Sequence, residues 1–81
     1  MVKVIFDDKF ERTISKIKDN SVRDSINKKV KKIIENPEVG KSMRNVRKGT
    51  REIYLKPFRL SYSYKVNENF VYILDLYHKK K

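Results

Sequence analysis

At 81 residues the chain is one domain at most. It can bury only about two thirds of the surface its unfolded form exposes, so it has room for a single small core. Having no Cys excludes disulfides, thiolate zinc sites and cysteine nucleophiles, and one His among scattered carboxylates argues against a protein-built metal centre.

The net charge of +11 is uneven. Residues 1–40 hold ten Lys/Arg against seven Asp/Glu, residues 41–81 eleven against three. A cationic excess gathered in one half points to a polyanionic partner: nucleic acid first, an acidic protein or membrane surface next. Charged residues match hydrophobic ones at 38% each, a balance that also suits disorder, but the apolar residues are periodic and so argue for a folded chain. Asp7 and Asp8 interrupt the opening MVKVIF before a signal peptide's apolar region can form, and no run nears the length of a membrane span. The expectation is a cytoplasmic protein with no membrane association.

Residues 1–6 alternate as a short strand, with Val2, Val4 and Phe6 on one side. Asp7 or Asp8 caps a helix over about residues 9–18, whose apolar positions Phe10, Ile14 and Ile17 share a face. Asp19-Asn20 breaks it. Ser21 starts a second helix, with Asp24 as the other half of a variant capping box and Val22, Ile26, Val30, Ile33 and Ile34 as its stripe. Asn36-Pro37 ends it. Lys28, Lys29, Lys31 and Lys32 on this helix read either as phosphate ligands or as its solvated face. The two helices form an antiparallel hairpin. A connection over residues 37–50 follows, with Met43 and Val46 expected in the core. Lys41, Arg44, Arg47 and Lys48 place four cations within eight residues, a plausible clamp for a phosphate backbone.

The last third reads as a three-stranded antiparallel meander: residues 51–55, a Lys56-Pro57 turn, residues 58–66, an Asn67-Glu68-Asn69 loop, and residues 70–78. Alternation puts Phe58, Leu60, Tyr62, Tyr64 and Val66 on the core face of the middle strand, with Arg59, Ser61, Ser63 and Lys65 opposite. Setting Val66 across from Phe70 adds Phe70, Tyr72, Leu74 and Leu76 to the core face, and Val71, Ile73, Asp75, Tyr77 and Lys79 to the other. Ile53 and Leu55 join the core. Glu52 and Tyr54 look outward beside Arg59. The fold class is α+β, β-α-α-β-β-β, with the helices on one face of a single sheet and residues 1–81 one domain. On the open face Arg59 offers fork-shaped donors to a phosphate and Tyr54 or Tyr77 offers a ring to a base. Arg59 reads equally as the structural partner of Asp75 or Glu52.

The order of a helix hairpin, N-P, a basic loop, G-x-R-E, F-R-L-x-Y and finally V-Y-I-L-D-L-Y-H-K resembles the RelE/ParE superfamily of type II toxin–antitoxin toxins, and within it the RelE branch. Phe58-Arg59-Leu60-Ser61-Tyr62 is the most specific part. The resemblance implies a toxin that cuts messenger RNA on the ribosome without metal or cofactor, the ribose 2′-hydroxyl attacking the neighbouring phosphate. It further implies a RelB-like cognate antitoxin as partner, beside the ribosome and its mRNA. Carried over by position, Arg59 is the phosphate stabiliser, Lys79 stands where many members have a catalytic arginine, and His78 where relatives place a proton-transfer residue. Glu52 and Tyr54 replace two lysines, one of which acts as base. Arg44, Arg47, Lys48, Arg51, Lys56, Tyr77, Lys80 and Lys81 are the expected RNA contacts. Strict alternation, however, puts His78 on the core face, away from Arg59. Two other readings fit: a ParE-type inhibitor of DNA gyrase, and a non-catalytic RNA-binding module working by charge alone.

Overall fold

The structure, a computed structural model, describes residues 2–44 and 49–78. Its elements are β1 (Lys3–Phe6), α1 (Asp8–Ser15), α2 (Asn20–Glu35), β2 (Lys41–Ser42), β3 (Arg51–Leu55), β4 (Phe58–Lys65) and β5 (Phe70–His78). They form a five-stranded sheet in the order β1-β5-β4-β3-β2. The expected meander is β3-β4-β5. Two additions complete the sheet: β1 joins β5 in parallel, and the two residues of β2 pair with β3 from within what the sequence suggests is a loop. The helices pack on one face, α1 against β5 and α2 against β3.

Capping explains where the helices begin. Asp7 accepts from the Lys9 amide at 2.9 Å and opens α1. The second helix starts earlier than the Ser21 capping box suggests, because Asp19 accepts from the Ser21 amide at 2.8 Å and serves as N-cap. Arg23 then closes the end of α1, donating to the carbonyls of Ile14 and Ile17 at 3.2 and 2.7 Å. Lys28, Lys31 and Lys32 are exposed, and Lys29 is half-buried.

Asp7 also ties the helix start to the sheet, accepting from the Tyr72 hydroxyl at 2.8 Å. That bond, the Lys9 amide and nearby cations hold the Asp7 carboxyl below its ordinary 3.8, while the same bond raises the Tyr72 phenol. A lowered folded value means the carboxylate's contribution is complete above 3.8 and is lost as pH falls through the folded value. Asp7→Ala is therefore expected to lower the urea midpoint at pH 7, and the gap from wild type should close as titration proceeds below about pH 4. A gap that persists unchanged into strong acid would count against this role.

The core comprises Phe10, Ile26, Ile33, Leu55, Leu60, Tyr62, Val71, Ile73 and Leu76. Two of these correct the sequence reading: Val71 and Ile73, expected on the open face, are fully buried in the core. The cause is a register shift in β5. Phe58, Leu60 and Ser61 pair with His78, Leu76 and Asp75 as expected, but Tyr62 then pairs with Ile73, so Leu74 is an extra residue. Beyond it every side chain of β5 changes face: Val71 and Ile73 turn inward, and Tyr72 turns to the side of Ser63. The Asn67-Glu68-Asn69 turn carries Asn69 at φ 56, the left-handed conformation Asn tolerates. Met43 is half-buried outside the core, and Val46 lies outside the described residues.

Tyr62 fastens the chain between α2 and β2 to the sheet. Its hydroxyl donates to the Pro37 carbonyl at 2.7 Å and accepts from the Gly40 amide at 2.8 Å. A Cβ on Gly40 would stand 2.7 Å from that hydroxyl, so the approach requires glycine.

Candidate active site on the open face

Below the Leu74 bulge the sheet keeps the register that its alternation predicts, and this register assembles the site. Arg59 lies between Tyr54 on β3 and Tyr77 on β5; Ser61 lies between Glu52 and Asp75. Directly opposed residues share a face, so Glu52, Tyr54, Arg59, Ser61 and Tyr77 stand together on the side the helices leave bare. Lys41 joins them opposite Glu52.

Glu52 is at the centre. It is 5% exposed, and its Oε1 accepts from Arg59 Nη1 at 3.2 Å. The Tyr77 hydroxyl donates to Oε2. A buried carboxylate with a guanidinium on one oxygen and a phenol on the other is compensated rather than stranded. The Arg59 side chain remains 36% exposed, so its fork is within reach of a ligand. Lys41, Met43, Glu52, Ile53, Tyr54 and Arg59 line a pocket of about 290 Å³ beside the Glu52–Arg59 pair. Of the two structural partners open to Arg59, the chain uses Glu52; Asp75 is held by Lys9 at 3.5 Å.

The other expected residues divide. Tyr54 is exposed at the pocket wall, and Arg44 is exposed beside Lys41 and Met43 in a neighbouring cleft. Lys56 is exposed in the turn before Pro57, whose peptide bond is cis. Arg51 is not with them: it shares the helix-side face with Tyr62 and donates to the carbonyls of Glu38 and Gly40 at 3.1 and 2.8 Å. It is a clamp on the chain after α2, not an open-face cation. His78 pairs with Phe58, and the two rings stand 4.7 Å apart. The bulge lies at Leu74, too early to turn His78, so the imidazole stays away from Arg59. Arg47, Lys48, Lys79, Lys80 and Lys81 lie outside the described residues. Lys41 reads from the sequence only as a loop cation; a two-residue strand leaves too short a pattern to show that it belongs to the pocket. Among the described residues no three His, Asp or Glu side chains gather as a metal site.

Two helices packed on one face of a five-stranded sheet are also the fold of known RelE toxin structures. The chain superposes on RelE from the intact Escherichia coli RelBE toxin–antitoxin complex with a TM-score of 0.83, at 18% identity and over 100% of both chains. For isolated E. coli RelE the TM-score is 0.82, at 20% identity over 100% of this chain and 87% of that one. For the RelBE2 complex of Mycobacterium tuberculosis it is 0.82, at 23% identity over 96% and 98%. Residues 4–81 match the family described as the ParE toxin of the type II toxin–antitoxin system, parDE. The chain belongs to that family, within the RelE/ParE superfamily, and is the toxin of a toxin–antitoxin pair. No curated protein matches it.

Proposed function

We propose that this toxin is a ribosome-dependent endoribonuclease that cuts translated mRNA. The observation that carries the reading is the Glu52–Arg59 pair lining an open pocket, with Tyr77 bonded to the same carboxylate. Attack of a 2′-hydroxyl on the next phosphate requires a base for its proton and a cation for the charge that grows on phosphorus. Glu52 is the carboxylate in the pocket, and Arg59 is the guanidinium beside it. An incoming phosphate draws Arg59 from Glu52 and leaves Oε1 to take the 2′-hydroxyl proton. The new 2′-oxygen–phosphorus bond forms as the bond to the 5′-oxygen breaks, and that oxygen takes a proton from water. The products are a 2′,3′-cyclic phosphate and a 5′-hydroxyl. No step calls on a cofactor.

The partners in this reading are the ribosome with its mRNA and a cognate antitoxin of RelB type, acidic enough to meet a charge of +11, and the place of action is the cytoplasm. The complexes in which RelE-type toxins occur support the antitoxin. The family match to ParE favours a second reading, inhibition of DNA gyrase.

Primer extension on a message translated in a purified system separates the two. Cuts are expected within the translated frame, and none on the same RNA without ribosomes. An intact message, together with blocked supercoiling by gyrase at the same toxin concentration, would replace the nuclease reading with the gyrase one.

A further inference from the structure

We infer that Tyr77 is a positioning residue: it acts through its hydroxyl on Glu52, and does not serve as a platform for a base. The inference rests on the nuclease reading above. Adjacent-strand pairing does not provide the contact between Tyr77 and Glu52. Tyr77 is on β5 and Glu52 on β3, with β4 between them. Two inter-strand steps separate their backbones by about 10 Å. The direct partner of Tyr77 is Arg59, whereas Glu52 lies across from Ser61. The phenol therefore crosses β4 on the diagonal to reach Oε2.

Ser61 makes the crossing possible. It is the β4 residue in line with Glu52, it is only 3% exposed, and its side chain is short enough to lie beneath a ring. A longer side chain there would fill the path between β5 and β3. The two oxygens of Glu52 consequently have partners of different kinds. Arg59, on Oε1, is partly exposed and suited to leave for a phosphate. Tyr77, on Oε2, is anchored in the strand and carries no charge for a phosphate to attract. When Arg59 departs, Tyr77 keeps its bond to Oε2 and restricts how the carboxylate can turn. A reacting group held in place in this way is worth orders of magnitude in rate.

The test uses the intact toxin on programmed ribosomes, comparing wild type with Tyr77→Phe, Tyr77→Leu and Glu52→Gln. Phenylalanine keeps the ring and loses the hydroxyl. Tyr77→Phe is expected to lower the rate at saturating ribosomes by about 10- to 100-fold with the half-saturating concentration unchanged. Tyr77→Leu should match it, and Tyr77→Phe added to Glu52→Gln should cost nothing further. Thermal melting verifies that each variant is folded. If Tyr77→Phe melts early, the rates are compared at a temperature below its melting point, where the folded variant should show the same loss. A Tyr77→Phe protein as fast as wild type beside a slow Tyr77→Leu protein overturns the inference in favour of stacking. So does a change confined to the half-saturating concentration. A wild-type toxin that leaves translated RNA whole removes the nuclease reading and this role together, before any variant is compared.

Discussion

Arg59→Ala is expected to slow cleavage of translated mRNA by two orders of magnitude or more, the usual scale for losing one donor aimed at charge that grows in the transition state. In the proposed reaction the residue has two jobs, and both fail. The substrate phosphate loses its guanidinium, and Glu52, at 5% exposure, loses the cation on Oε1. Arg59→Lys separates them. It restores a positive charge but not the planar fork, so it should recover part of the stability and little of the rate. Single-turnover cleavage on programmed ribosomes, read beside a urea melt, gives both quantities. An Arg59→Ala protein that cuts at the wild-type rate would remove Arg59 from the chemistry altogether.

The largest effect on stability should come from Tyr62. Tyr62→Ala empties a fully buried aromatic site and is expected to cost about 3–5 kcal/mol. A domain holds only about 5–15 kcal/mol in all, and short chains lie low in that range, so this variant should be largely unfolded at room temperature. Tyr62→Phe is the informative partner. It fills the volume but leaves the Pro37 carbonyl and Gly40 amide without the hydroxyl, a loss of about 1–3 kcal/mol. Burial pushes the Tyr62 phenol above its ordinary 10.0, against the pull of the Gly40 amide. A raised folded value means the contribution is whole below 10.0 and is lost as pH climbs through the folded value. The alkaline fall in wild-type stability should therefore flatten in Tyr62→Phe. Denaturant melts from pH 7 to 11 check both points, and equal stability of the two proteins at pH 7 would refute the fastening role.

Most of the architecture is legible in the sequence because local rules agree with the global arrangement there. The stripes of α1 and α2, Asn36-Pro37, the Lys56-Pro57 turn and the alternation of residues 58–61 each point to the same fold. The open face of Glu52, Tyr54, Arg59 and Tyr77 follows from that alternation alone. Three things do not. β2 is two residues long and has no period of its own. The parallel seat of β1 against β5 depends on where the crossover lands, which no local pattern records. The Leu74 bulge is hidden because residues 70–74, FVYIL, are apolar at every position, so either face suits them and no slip exposes itself. The contacts of Tyr77 and Arg51 are hidden for another reason: what a tyrosine or arginine tip touches is set by residues far along the chain, Glu52 for one and Glu38 and Gly40 for the other.

That spare leucine lets β5 serve two masters. A strand alternating without interruption has one phase: sinking Val71 and Ile73 beneath the helices would carry Asp75 and Tyr77 down with them, and lifting the tyrosine into solvent would strand two β-branched residues in water. An odd residue inserted halfway resets the count, so the upstream stretch faces the interior and the downstream stretch keeps Tyr77 on the bare side of the sheet. Deleting Leu74 would leave one phase for the whole strand, and either Val71 and Ile73 or Tyr77 would land on the wrong side.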